Sequence, residues 1–277
     1  MLIRLFLLLT SLSSTIQEKL WKWWYQKLSS AYKKKDWRFM NYGYAPLDEQ
    51  PMLILKNEVD QENRLFIQLY QHTLLGIDLK GKEVLEVGSG RGGGADYVAR
   101  YLSPSSIIGL DFAKNAIDLC NQFYNVPNLS FMEGNAEQLF FEDDRFDVIF
   151  NVESSHCYGN MNAFIAEVTR VLKPGGIFAW ADLRTQKIME KEDAIFMNSS
   201  LKFLSKQNIT PNVLQALDLI SNRKKEAIQK RVSYFWQSLF FEFAGVRNSK
   251  IYRGFQEGKM VYWCYHFQKP NFEITWV

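Results

Sequence analysis

The sequence predicts an α/β fold, a doubly wound seven-stranded sheet, mostly parallel with an antiparallel edge, with N-terminal helices and a helical cap insertion. Three observations predict it. From residue 83 onward short apolar runs alternate with amphipathic stretches, the pattern of parallel strands joined by crossover helices. A glycine-rich turn follows the first run, and acidic or polar residues close the next ones, as expected where a crevice forms at the carboxyl ends of the strands. The chain of 277 residues, 47% hydrophobic and 23% charged, is long enough to bury one such core and carry an extension.

The N-terminal part comes first. Met1–Leu12 holds one arginine and the run Leu5–Leu9, too short to span a bilayer and without a small-residue cleavage site. Between Ile16 and Tyr32 the large apolar residues Ile16, Leu20, Trp24, Leu28 and Tyr32 recur at helical spacing, with Lys19, Lys22 and Lys27 on other faces. Tryptophans opposite lysines suit a helix lying in a lipid headgroup layer, and equally a helix packed on the protein's own core. Residues 1–40 carry eight basic and two acidic side chains, while the rest of the chain is slightly acidic, so that the whole is +3. A basic end on an acidic body points to an anionic surface as partner. Residues 1–40 are therefore read as a basic amphipathic extension and 41–277 as the α/β domain.

Asn41–Tyr44 and Pro46 mark a loop, followed by a helix from about Glu62 to Leu75. Strands are expected at Glu83–Val87, Ile107–Asp111, Leu129–Met132, Phe146–Asn151 and Ile177–Ala181. Helices are expected at Gly93–Tyr101, Ala113–Phe123 and Met161–Val171, the last closed by a turn at Lys173–Gly176. Lys187–Phe243 is helical and charged, too long for a loop, and is read as a cap over the carboxyl edge of the sheet. Two closing strands, Lys250–Arg253 and Met260–Phe267, would pair antiparallel at one edge. Cys120, Cys157 and Cys264 are odd in number and share no CxxC spacing, which argues against a disulfide framework and a zinc site and fits a reducing compartment.

The chemistry lies at the strand ends. Val84–Gly93 is a strand, a glycine turn and a helix start; Gly88, Ser89 and Gly90 let a ligand approach backbone N–H groups. The turn also satisfies G-x-G-x-x-G at Gly88, Gly90 and Gly93, so a nicotinamide cofactor is an alternative. Glu86 separates the two. A carboxylate just before the loop sits badly beside a pyrophosphate but suits a cationic ligand end, such as an amino group or a sulfonium. Asp111 can accept both ribose hydroxyls, Phe112 can cover an adenine face, Asn135 and Ala136 can bond the adenine edge, and Asn151 ends the fourth strand beside the reacting methyl. Of the three histidines, His156 follows the fourth strand at the reaction end and is the candidate base; Tyr158 and Glu153 shape the same pocket. His72 and His266 are read as structural.

The blocks Val84–Gly94, Ile108–Phe112, Gly134–Leu139, Phe146–Asn151 and Leu172–Gly176 resemble the motifs of the class I, Rossmann-like S-adenosylmethionine-dependent methyltransferases. Asn57–Leu75, Gly92–Ala95, Asn151–Tyr158, Trp180–Arg184 and Gly245–Lys269 further resemble the phthiotriolone-type lipid methyltransferases of mycobacteria, so that the likeness runs over most of the chain. The resemblance implies S-adenosyl-L-methionine as cofactor, no metal, and O-methylation of a hydroxyl on a hydrophobic, lipid or polyketide-like molecule. The cysteines and the basic N-terminal stretch, which matches that family less well, lead us to expect a cytoplasmic enzyme with peripheral membrane contact through residues 1–35 and no nucleic acid partner. C-methylation of a sterol or prenyl-ring lipid, an NAD(P)-dependent oxidoreductase and a catalytically inert membrane adaptor stand as alternatives; the intact Glu86, Asp111 and glycine loop speak against the adaptor.

Overall fold

The computed structural model describes residues 37–48 and 53–271; the helix expected at Ile16–Tyr32 lies outside them. The chain enters as an irregular segment, then forms α1 (Glu58–Glu62) and α2 (Arg64–Thr73). The helix expected from about Glu62 to Leu75 is α2, and the short α1 precedes it. The N–H of Asn63 folds back onto the carbonyls of Val59 and Asp60 and ends α1.

The alternating region follows in the expected order: β1 (Glu83–Val87), α3 (Gly93–Tyr101), β2 (Ser106–Asp111), α4 (Lys114–Phe123), β3 (Leu129–Glu133), β4 (Phe146–Val152), α5 (Met161–Val171) and β5 (Leu172–Thr185), the last taking in the residues 173–176 expected as a turn. Beyond it come α6 (Gln186–Met197), β6 (Lys202–Asn208), α7 (Thr210–Arg231), α8 (Tyr234–Phe243), α9 (Lys250–Gln256) and β7 (Met260–Gln268).

The seven strands lie in the order β3-β2-β1-β4-β5-β7-β6. The first five are parallel, and β7 runs antiparallel between β5 and β6. Two expectations are corrected here. Lys250–Arg253 is not a strand but the start of α9, because the Ser249 side chain accepts the Tyr252 N–H as an N-cap and Tyr252 and Phe255 reach the core from one helical face. The partner of β7 at the edge is β6, inside the stretch expected to be wholly helical. All seven residues of β6 are exposed, so it carries no alternating apolar signal; backbone pairing with β7 makes it a strand. Its lysines suit an edge that must not recruit another chain.

Alternate residues of each buried strand face opposite cores. Val84, Phe150 and Ala181 join Tyr70, Val98 and Leu217 on one side, under α2, α3 and α7. Leu85, Ile149 and Trp180 join Phe164 and Phe196 on the other, under α5 and α6. Between β1 and β4 the strand order reverses, which opens a crevice at their carboxyl ends. Among the described residues no helix is long and apolar enough to cross a membrane.

Candidate active site

The crevice is built from the turn after β1. The N–H groups of Gly88 and Ser89 both donate to the Leu110 carbonyl, at 2.7 and 2.9 Å, which bends the turn over β2. Gly88 has φ +80°, and a Cβ there would lie 2.0 Å from the Ser154 Oγ, so only glycine fits. Gly92, at φ +77°, caps α3 without a side chain, leaving the first N–H groups of that helix to a ligand or to backbone.

A strap formed by residues 37–42 lies on this loop. Arg91 donates from Nε to the Trp37 carbonyl at 2.8 Å and stacks on its ring. A Cβ on Gly90 would touch Met40, and one on Gly93 would meet the Arg38 carbonyl at 2.5 Å. Buried charge holds the strap down. Asp60 is fully buried and accepts from Arg38, twice from Arg100 (2.7 and 3.0 Å) and from the Tyr101 hydroxyl (2.6 Å). Asp96 pairs with both arginines. Burial alone would lift the Asp60 carboxyl, yet the arginines and Tyr101 hold it below its ordinary value. Sequence reading took Asn41–Tyr44 as a loop; the chain there is irregular, but Tyr42 and Tyr44 are buried.

Beyond Gly88 the crevice is a cavity of about 340 Å³ whose walls include Asp111, Phe112, Asn135, Ala136 and Tyr158. Asp111 is buried, and its two oxygens accept the N–H groups of Gly90 and Ala113, both at 2.8 Å. Each oxygen keeps a second lone pair for a ligand hydroxyl. The Asn135 side chain accepts the Glu137 N–H and shapes the turn after β3. Glu137 accepts the N–H groups of Gly159 and Asn160 and ties that turn to the loop after β4.

Glu86 lies behind the glycine loop on the α2 side. It is fully buried, with no cation beside it and only the Tyr70 hydroxyl and the Ala95 amide near enough to favour its charged form; the Ser89 hydroxyl is unmatched. Burial pushes the Glu86 carboxyl up to about 8, against the lowering pull of Tyr70 and the Ala95 amide. An unpaired buried carboxylate costs several kcal/mol unless a cation or a proton meets it. The residues present therefore fit a ligand with a cationic end near Glu86 and a dihydroxylated ring at Asp111. Asn151 stands behind the wall rather than on it, its amide donating to the Val87 carbonyl, the Ser154 hydroxyl and the Tyr158 hydroxyl at 2.8–3.0 Å.

At the far end His156 sits in a short 3₁₀ turn, Ser155–Cys157, next to Cys157 and Tyr158 on the cavity wall. Its Nδ1 meets the Asp182 carboxylate at 2.8 Å, and its backbone N–H donates to the other oxygen of Asp182 at 2.9 Å. Asp182 is fully buried in β5 and also accepts from Ser155 and pairs with Arg184. Burial lowers the His156 pKa, but the Cys157 sulfur and the Asp182 carboxylate more than reverse this and leave it well above the ordinary imidazole value. Glu153 is half-buried nearby at φ +51°, accepting from the Tyr42 N–H and the Tyr262 hydroxyl.

The structure thus brings Gly88, Asp111, Phe112, Asn135 and Ala136 onto one cavity, with Ser89 and Gly90 in its loop and Glu86 and Asn151 behind it. His156 is not on the cavity wall, but is the chain neighbour of Cys157, which is. The ring of His72 stacks on Tyr44 at 4.2 Å, and His266 meets the Thr73 carbonyl at 2.8 Å, both away from the crevice. Sequence reasoning missed Asp182 as the partner of His156, although its place near the end of the fifth strand was a signal. It missed the strap as well, for which no local motif exists.

Residues 85–180 match the family model described as a methyltransferase domain. The chain is 36% identical over 257 residues to a phthiotriol/phenolphthiotriol dimycocerosates methyltransferase of Mycobacterium tuberculosis, covering 93% of this chain and 94% of that one. It is 34% identical over 246 residues to a fatty-acid O-methyltransferase of Mycolicibacterium smegmatis, covering 89% and 88%. Among solved structures it resembles a putative sarcosine dimethylglycine methyltransferase from Galdieria sulphuraria, with a TM-score of 0.65 at 17% identity over 84% of this chain and 94% of that one.

Proposed function

Because the chain belongs to the S-adenosylmethionine-dependent methyltransferase family of the phthiotriol/phenolphthiotriol dimycocerosates enzymes, we propose that it O-methylates a hydroxyl on a hydrophobic lipid, with His156 as the base. Neither the oxidoreductase nor the C-methylation alternative is favoured by the relatives.

Bound S-adenosylmethionine supplies an electrophilic methyl on its sulfonium for an in-line displacement. The chain's own groups bind, orient and deprotonate. Glu86 offers charge to the cationic end of the cofactor, and Asp111 accepts the ribose hydroxyls. Phe112 and the Asn135–Ala136 turn flank the adenine. Alignment in a water-poor crevice accounts for much of the rate. His156 Nε2 takes the acceptor's proton while Asp182 fixes the tautomer and stabilises the imidazolium.

The observation that carries the reading is the His156–Asp182 pair, held next in the chain to the cavity-wall residues Cys157 and Tyr158. A fatty-acid carboxylate is already deprotonated at neutral pH and needs no base, so the pair favours a hydroxyl over a carboxyl acceptor. The basic, tryptophan-bearing residues 1–35 would hold the chain against an anionic membrane surface, where such an acceptor resides.

The test is incubation of the purified protein with methyl-labelled S-adenosylmethionine and detergent-dispersed long-chain alcohols, diols and fatty acids. Label in an organic-soluble methyl ether is the expected result. Label confined to fatty-acid methyl esters, to carbon, or to no lipid would overturn the reading.

A further inference from the structure

We propose that the corner between α7 and α8 is a second lipid contact: it docks on an anionic bilayer, with Tyr234, Phe235 and Trp236 inserted among the acyl chains. The inference rests on the lipid-acceptor reading. These three consecutive aromatics are 82%, 88% and 44% exposed, an apolar tip that water disfavours and that nothing else in the described chain covers. The tip is held in shape. The Gln237 amide donates to the carbonyls of Gln229 and Val232, the Trp236 N–H donates to the Ser233 carbonyl, and Leu239 anchors α8 inward.

Charge identifies the occupant. Of the basic residues in the last nine of α7, Lys224 is turned inward onto the Ala244 carbonyl and Arg223 donates to the Glu62 carbonyl, which leaves Lys225, Lys230 and Arg231 against the single acid Glu226. Lys230 and Arg231, directly before the aromatics, are exposed. Aromatic side chains with basic residues at their base match the boundary between acyl chains and anionic headgroups.

Position supports the same occupant. The other end of α8 reaches the acceptor side of the site: the Tyr42 hydroxyl donates to the Phe243 carbonyl at 3.1 Å, and the Tyr42 N–H donates to Glu153 at 2.8 Å. Lys224 donates to the Ala244 carbonyl at 3.0 Å. One helix of ten residues, about 15 Å long, therefore links the tip to the region of His156. A lipid acceptor has a short way to travel from a bilayer at the tip.

The experiment uses the full chain carrying Phe235→Cys, labelled with a polarity-sensitive fluorophore; Cys120, Cys157 and Cys264 are buried. Phosphatidylglycerol–phosphatidylcholine vesicles should shift its emission to the blue, and lipids brominated in the acyl chains should quench it. Pure phosphatidylcholine vesicles should do so more weakly, and a label at Lys80→Cys, on an exposed turn before β1, should stay in water. The unlabelled Tyr234→Ser, Phe235→Ser, Trp236→Ser triple variant should raise KM for a vesicle-embedded acceptor by about tenfold or more, since the apolar anchor is lost. Its kcat on a detergent-dispersed acceptor should be unchanged. A label that stays in water with both vesicles overturns the docking surface. A blue shift that arises without vesicles and fades on dilution also overturns it, making the corner a contact between copies of the chain. Failure of the lipid reading shows separately, as absence of methylated lipid in detergent.

Discussion

At the scale of single residues, Glu86 and His156 are tuned in ways that can be measured. Burial raises the Glu86 carboxyl from 4.5 to about 8, so at neutral pH the ligand-free protein holds a proton there. A cationic ligand favours the charged form and should expel it. Calorimetry of S-adenosylhomocysteine binding at pH 7 in buffers of different ionisation enthalpy should therefore show proton release, which Glu86→Gln abolishes while weakening binding by about 1–3 kcal/mol. The sign for stability is the reverse of the usual acid. The folded state binds the proton more tightly than the unfolded one, so stability falls as pH rises from about 4.5 to about 8, and Glu86→Gln should flatten that part of the Tm profile. For His156 the pKa is raised, and a base must be neutral to act. We expect kcat to climb with pH through that raised pKa, and His156→Ala to lower it by about 10²- to 10⁴-fold with cofactor affinity unchanged. Asp182→Asn should reproduce most of the loss and shift the profile to lower pH. A fall of less than about threefold in His156→Ala would leave alignment alone as the source of rate.

At the scale of elements, the strap is where sequence and structure part company most. Arg38, Asp60, Asp96 and Arg100 come from three separate stretches, and only the folded chain assembles them into one buried ion cluster. Removing Asp60 leaves two buried guanidinium groups, Arg38 and Arg100, sharing the single carboxylate of Asp96. Asp60→Ala should cost about 3–5 kcal/mol in urea denaturation and weaken S-adenosylhomocysteine binding, because the strap rests on Gly90 and Gly93. The depressed Asp60 pKa adds stability above its unfolded value, lost as pH falls through the folded one. A variant with wild-type stability would mean the cluster contributes nothing. The long helices and buried strands were legible because each buries a periodic apolar face. The edge strand β6 was not, since both its faces are wet, and α9 was mistaken for a strand because Ile251 and Tyr252 favour strands while the deciding signal was the Ser249 cap.

At the scale of the whole molecule, the cofactor crevice and the membrane contacts are separable. A chain lacking residues 1–35 keeps the strap, so its affinity for S-adenosylhomocysteine should match that of the full chain, while cosedimentation with anionic vesicles weakens. A chain lacking residues 1–45 loses Trp37 to Tyr44 and should bind S-adenosylhomocysteine poorly if it folds at all. Vesicle binding of the full chain should fall with salt, because exposed charges are screened within about 8 Å at physiological ionic strength. Equal loss of cofactor binding in both truncations would place the N-terminal stretch in the crevice rather than on lipid.

The sequence by itself determined the parallel sheet, its glycine turn and the acidic strand ends, because each is written in neighbouring residues: apolar periodicity, a turn that only glycine can make, and an acid at the tip of a buried strand. Tertiary structure alone decided what surrounds them. Asp182 reaches His156 from 26 residues away, Glu86 is buried with no cation beside it, only Tyr70 of α2 and the Ala95 amide of α3, and Arg38 crosses to Asp96 over the glycine loop. Such pairings are set by which strands and helices come to lie side by side. A buried charge is matched by whatever the fold brings near it, and no local pattern records that choice.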